Sequence, residues 1–116
     1  MSYTDEQEKA LYRQAIDQWG ALAQIHMACE EAGELIVALM KLNRAENGTD
    51  TTKVAGEIAD VEIMMGQLKV LLALEPHAEI KARKLQRLEE RLKRLPSWVK
   101  ERKEPLPQPQ EPKVRR

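Results

Sequence analysis

The sequence predicts an all-α protein, a four-helix bundle with a Pro-rich tail, and three observations carry that prediction. Leu, Ala, Glu, Lys and Arg dominate the 116 residues, while Phe is absent and aromatics make up only 3%. That is the composition of packed helices rather than of sheets. Apolar residues recur at helical spacing as far as Leu95, and Gly, Asn-Gly and Pro signals cut the pattern into four segments.

Thr4 followed by Asp5 and Glu6 marks the first helix start, with acidic residues where the helix dipole favours them. This helix runs to about Trp19, and Gly20 is a break. The second runs from about Ala21 to Arg44, ahead of the turn signal Asn47-Gly48-Thr49-Asp50. The third begins near Thr51 or Thr52 and keeps its apolar pattern to Leu74. Pro76 suits the first turn of a fourth, which reaches about Leu95 and is closed by Pro96. These helices form one domain over residues 1–98. Residues 99–116, rich in Pro and charge, cannot build a core and are expected to be a disordered tail.

Charge balances at 19 basic against 19 acidic residues, so no long-range field draws the chain to nucleic acid or an anionic membrane. Cys29 is alone and has no internal disulfide partner, and the N-terminus carries no apolar run of signal-peptide or membrane-spanning length. The expectation is a cytoplasmic protein with no nucleic-acid or membrane partner.

The chemistry lies in two acidic pairs. Glu31 and Glu34 stand at i, i+3 on the second helix, as do Glu57 and Asp60 on the third. That spacing stacks two carboxylates on one face, where like charges weaken an isolated helix and ask for a cation. If the two helices pack antiparallel, all four converge on a hard divalent metal such as Mg2+, with Mn2+ as the alternative. Gly33, Ala38, Gly56 and Ala59 are small enough to permit close approach there.

On the third helix Glu57, Asp60, Met64 and Gln67 share a stripe. Beside it runs an expected core stripe of Val54, Ile58, Val61, Met65, Leu68 and Leu72. Glu62 points away from Asp60, and His26 lies off the acidic face of the second helix. Ile63 and Val70 form a second apolar surface that calls for another subunit, in a homodimer or homotetramer.

The fourth helix is basic, with Lys84, Arg87 and Arg91 flanking a seam of Leu85, Leu88, Leu92 and Leu95. Cations beside an acidic metal site suit a polyphosphate substrate. The same residues also read as a solvated face with internal pairs such as Glu90 with Arg94. No Gly-rich phosphate loop, zinc spacing or Ser-His-Asp set exists, and neither His26 nor His77 has the preceding glutamate of a di-iron bundle.

The acidic pattern Glu30-Glu31-x-x-Glu34 with Glu57-x-x-Asp60 resembles the signature of the MazG-like all-α nucleoside triphosphate pyrophosphohydrolases. The likeness extends through Gln18-Trp19-Gly20, Gln24, Arg44, the run from Glu57 to Gln67, and Lys84-Leu85-x-Arg87-Leu88. It implies Mg2+-dependent hydrolysis of a nucleoside triphosphate to a monophosphate and pyrophosphate. It further implies that Glu31, Glu34, Glu57 and Asp60 hold metal, that Lys84 and Arg87 contact phosphates, and that Gln24 or Trp19 lines the nucleoside pocket. For Glu30 it leaves three roles: a group behind the ligands, a ligand to another ion, or the base for the attacking water. Met64 stands where many relatives have an aromatic residue. The rival readings are a phosphoribosyl-ATP pyrophosphatase and a non-catalytic helical dimerisation module, the latter disfavoured because it would keep the carboxylate repulsion with no gain.

Overall fold

Five helices and no strand make up the described residues, which in this computed structural model run from 1 to 43 and from 51 to 100: α1 (Asp5–Trp19), α2 (Ala21–Asn43), α3 (Thr51–Leu71), α4 (His77–Arg94) and α5 (Ser97–Lys100). The expectations for Arg44, for the turn at residues 47–50 and for the tail beyond 100 fall outside the described residues. The described part forms an all-helical assembly in two compact units. The first holds α1 to α3 and ends at Ala73; the second begins at Leu74.

Local chemistry explains most helix ends. The Thr4 hydroxyl accepts from the Gln7 N–H at 3.1 Å while Gln7 Oε1 accepts from the Thr4 N–H at 2.9 Å, a reciprocal cap at the head of α1. Gly20 separates α1 from α2 at φ 89, a conformation that a residue with a Cβ adopts only under strain. Leu95, before Pro96, is extended, because the proline ring disfavours helical geometry in the preceding residue.

Two ends depart from expectation. α3 stops at Leu71 rather than Leu74, with Ala73 in the left-handed region at φ 50. Glycine usually fills that position and announces the stop; alanine there hides it. α5 is one turn, too short to show a period, and carries the helical chain past Trp98, where the tail was expected to begin.

In the first unit α2 and α3 form the main contact and α1 lies chiefly on α3. Gln24, early in α2, bonds Gln67, late in α3, while Lys41, late in α2, shares a pocket with Lys53, early in α3. The two helices are therefore antiparallel. Their contact runs through the stripe that carries the acids. Met64 and Gln67 are 5% and 7% exposed and Gln67 bonds the buried Gln24, whereas Ile58, Met65 and Leu72 of the expected core stripe are exposed. Hydropathy alone placed that second stripe inside. The packing turns α3 instead so that its acidic stripe faces α2.

Gly66 fixes the other side of α3: a Cβ there would lie 2.8 Å from Cζ of Tyr12, so the α1 ring rests directly on the α3 backbone. Gly33 and Gly56, expected to permit close approach, face open space, and Ala59 is exposed. Of the four small residues named for that role, only Ala38 is buried.

In the second unit, Leu85, Leu88, Leu92 and Leu95 are all exposed. The Glu90–Arg94 pair forms at 4.0 Å beside Glu89–Lys93 at 3.1 Å. Both pairs are solvated and add little stability.

A candidate metal centre between two helices

One turn of α2 and one of α3 bring Glu31, Glu57 and Asp60 together, with a carboxylate oxygen from each lying within 4.8 Å of the others. The i, i+3 spacing stacks Glu57 over Asp60 on α3, and the antiparallel pairing sets Glu31 opposite them. Glu34 is not part of this trio. It stands against it, close enough to both Glu31 and Glu57 to hydrogen-bond them and make them weaker acids.

Although the residues are only half-buried, Glu31 Oε2 and Glu57 Oε2 are shut off from solvent and have no hydrogen-bond partner among the described residues. Both carboxyls are pushed above the ordinary glutamate range. For Glu31 the causes are loss of solvent, then the charges of Glu34, Asp60 and Glu57; for Glu57 they are loss of solvent, then Glu34 and Asp60, with Lys53 opposing weakly. Enclosed oxygens without donors are costly unless something supplies positive charge. Three carboxylates so arranged fit a hard divalent cation, which prefers oxygen ligands.

A cleft of about 710 Å³ opens beside the trio, walled by Glu30, Glu34, Val37 and Lys41 of α2 and by Lys53 and Glu57 of α3. Glu30 thus faces the same cleft as Glu34 and Glu57 without joining the trio. Lys41 and Lys53 were missed in the sequence reading, which sought cations only on the most basic helix. Their signal was nonetheless present, since Lys53 precedes Glu57 by one turn and Lys41 follows Glu34 by two.

The remaining candidates are dispersed. Gln24 is 5% exposed, and its Nε2 donates to Gln67 Oε1 at 2.7 Å, so its amide sits in the helix contact. Trp19 is exposed and borders a different cavity, of about 610 Å³, between α1 and α3, with Tyr3, Tyr12, Ile63 and Gln67. Lys84 and Arg87 are exposed on α4, in the second unit. Glu62 acts on Tyr12, whose hydroxyl is raised by loss of solvent, then by Glu8 and Glu62. His26 and Cys29 are exposed and outside the trio.

No helix among the described residues is long and apolar enough to cross a membrane. Comparison of the chain with known protein families, curated proteins and solved structures found no match.

Proposed function

We propose that the α2–α3 cleft holds Mg2+ and hydrolyses a nucleoside triphosphate between its α and β phosphates, giving a monophosphate and pyrophosphate. The observation that carries this reading is the pair of enclosed, unpartnered oxygens, Glu31 Oε2 and Glu57 Oε2, at the centre of a three-carboxylate cluster. The likeness of the two acidic motifs to the MazG-like pyrophosphohydrolases supports the choice of reaction.

Glu31, Glu57 and Asp60 hold the cation, and Glu34 stands beside them as a further ligand or a hydrogen-bonding neighbour. When bound, such a cation supplies Lewis-acid polarisation of phosphoryl oxygens and neutralises their charge. Glu30 faces the cleft without belonging to the trio, a position suited to a base. It takes a proton from water as the water oxygen attacks phosphorus and the bridging P–O bond breaks, releasing pyrophosphate. No covalent nucleophile is needed.

A second copy of the chain completes the picture. Among the described residues only Ala38 and Met64 are buried apolar residues, while Ile36, Leu39, Met40, Ile58, Ile63 and Met65 of the first unit are exposed. So small a core calls for association. Light scattering should show a dimer or tetramer, and Ile63→Glu should weaken or abolish it; a well-behaved monomer from the unmutated chain would leave this set of residues without a covering partner.

The reaction is tested by incubating the purified chain with a panel of nucleoside triphosphates and Mg2+ and measuring pyrophosphate. Release from at least one nucleotide, abolished by EDTA, is the expected result. Metal binding with no turnover across the panel would remove the reaction and leave only the cation site.

A further inference from the structure

We infer that Lys41 and Lys53, one from each helix lining the α2–α3 cleft, form its phosphate-binding wall and take the end of a polyphosphate chain that is anchored at the acidic trio. The inference rests on the nucleotide-hydrolysing reading of the same cleft, and it moves the phosphate contacts away from Lys84 and Arg87.

The lining of the cleft combines three carboxylates, Glu30, Glu34 and Glu57, with one lysine from each helix. Lys41 lies seven residues beyond Glu34, about 10 Å along α2, and Lys53 four residues before Glu57, about 6 Å along α3. That offset suits a chain of two or three phosphates with one end at the acids and the other between two ammonium groups. The exposed Val37 and the buried Ala38 also line the cleft.

Lys41 comes from α2 and Lys53 from α3, and the two ammonium groups border one cleft. Their substrate class is a linear polyphosphate, free or as the tail of a nucleotide, because a monovalent carboxylate ligand would engage one lysine and leave the other idle.

Inorganic tripolyphosphate, titrated calorimetrically into the full chain with and without Mg2+, tests this. The variants are Lys41→Gln with Lys53→Gln, the same pair changed to Arg, and Lys84→Gln with Arg87→Gln. The glutamine pair at the cleft should lose tenfold or more in tripolyphosphate affinity and show a shallower salt dependence, while its binding of Mg2+ alone is kept. The arginine pair should retain most of the affinity. All these side chains are exposed, and unchanged melting curves would confirm intact folding.

Equal affinity in the glutamine pair and the unmutated chain would overturn the inference, whether or not Lys84 and Arg87 matter, and would leave the metal site standing. Absence of tripolyphosphate binding by the unmutated chain under both conditions would also overturn it. Lysine-dependent binding that ignores Mg2+ would overturn the anchoring at the acidic trio, while the titration with Mg2+ alone decides the metal site separately.

Discussion

Two polar pairings lie on the same contact between α2 and α3, and they are resolved in opposite ways. Toward one end Gln24 and Gln67 are buried and satisfy each other through a 2.7 Å hydrogen bond. At the middle Glu31 and Glu57 each have an enclosed oxygen without a hydrogen-bond partner among the described residues. A buried amide pair closes on itself and specifies register; two ionised carboxylates cannot, because both only accept. The first is a complete structural element, whereas the second is completed by a proton or, in the reading proposed above, by a cation.

The largest expected effect breaks the comparison at its acidic member. Asp60→Asn keeps size and removes a ligand charge, so pyrophosphate release should fall by orders of magnitude while circular dichroism shows an intact fold. Glu62→Gln, two residues away but facing Tyr12, should leave turnover nearly unchanged. Equal losses in the two variants would contradict the helix-face geometry.

The amide member is probed by a double-mutant cycle. Gln67→Leu alone strands a buried Gln24 amide and should cost about 1–3 kcal/mol in urea unfolding, whereas Gln24→Leu with Gln67→Leu should recover much of that. Additive losses would mean that the bond contributes nothing beyond packing.

Cation binding sharpens the contrast. Mg2+ should raise the melting temperature, by the equivalent of about 2.7 kcal/mol at a hundredfold excess over its dissociation constant. Glu57→Gln should melt higher than the unmutated chain without metal, through relief of repulsion, and respond less to Mg2+. A melting curve insensitive to millimolar Mg2+ and Mn2+ would reduce the trio to an unfilled acidic cluster.

The smallest effect is on pH. Folding raises the Glu31 and Glu57 carboxyls above their ordinary range, so there the folded chain binds more protons than the unfolded chain. Metal-free stability should then fall as pH rises from the ordinary glutamate range through the raised values, and recover on acidification. With Mg2+ bound the trend should flatten or reverse, because protons compete with the metal for the same oxygens. Thermal melts across pH with EDTA and with Mg2+ measure both, and identical profiles would show that these carboxyls do not couple to metal.

Much of the fold was legible in the chain because its signals are local. The cap at Thr4, the break at Gly20, the start at Pro76 and the stop before Pro96 each depend on a few neighbouring residues. The end of α3 was not legible, since Ala73 adopts a conformation that its own chemistry disfavours. The acidic trio was legible in part: i, i+3 spacing fixes Glu57 over Asp60 from sequence, but Glu31 joins them only through packing.

The sequence by itself determined the four long helices, the stacked acids on α2 and α3 and the separation of Glu62 from Asp60, because helical periodicity follows from backbone geometry alone. Tertiary structure decided which stripe of α3 faces α2. It buried Met64 and Gln67 and left Ile58 and Met65 exposed, a choice that hydropathy ranks the other way. It also decided which cations border the cleft, placing Lys41 and Lys53 there from the ends of two antiparallel helices. Side chains so far apart along the chain become neighbours only when two helices settle their rotation and register together. The tyrosine ring resting on Gly66 and the amide pair closing at 2.7 Å belong to that settled packing, and no local pattern announces either.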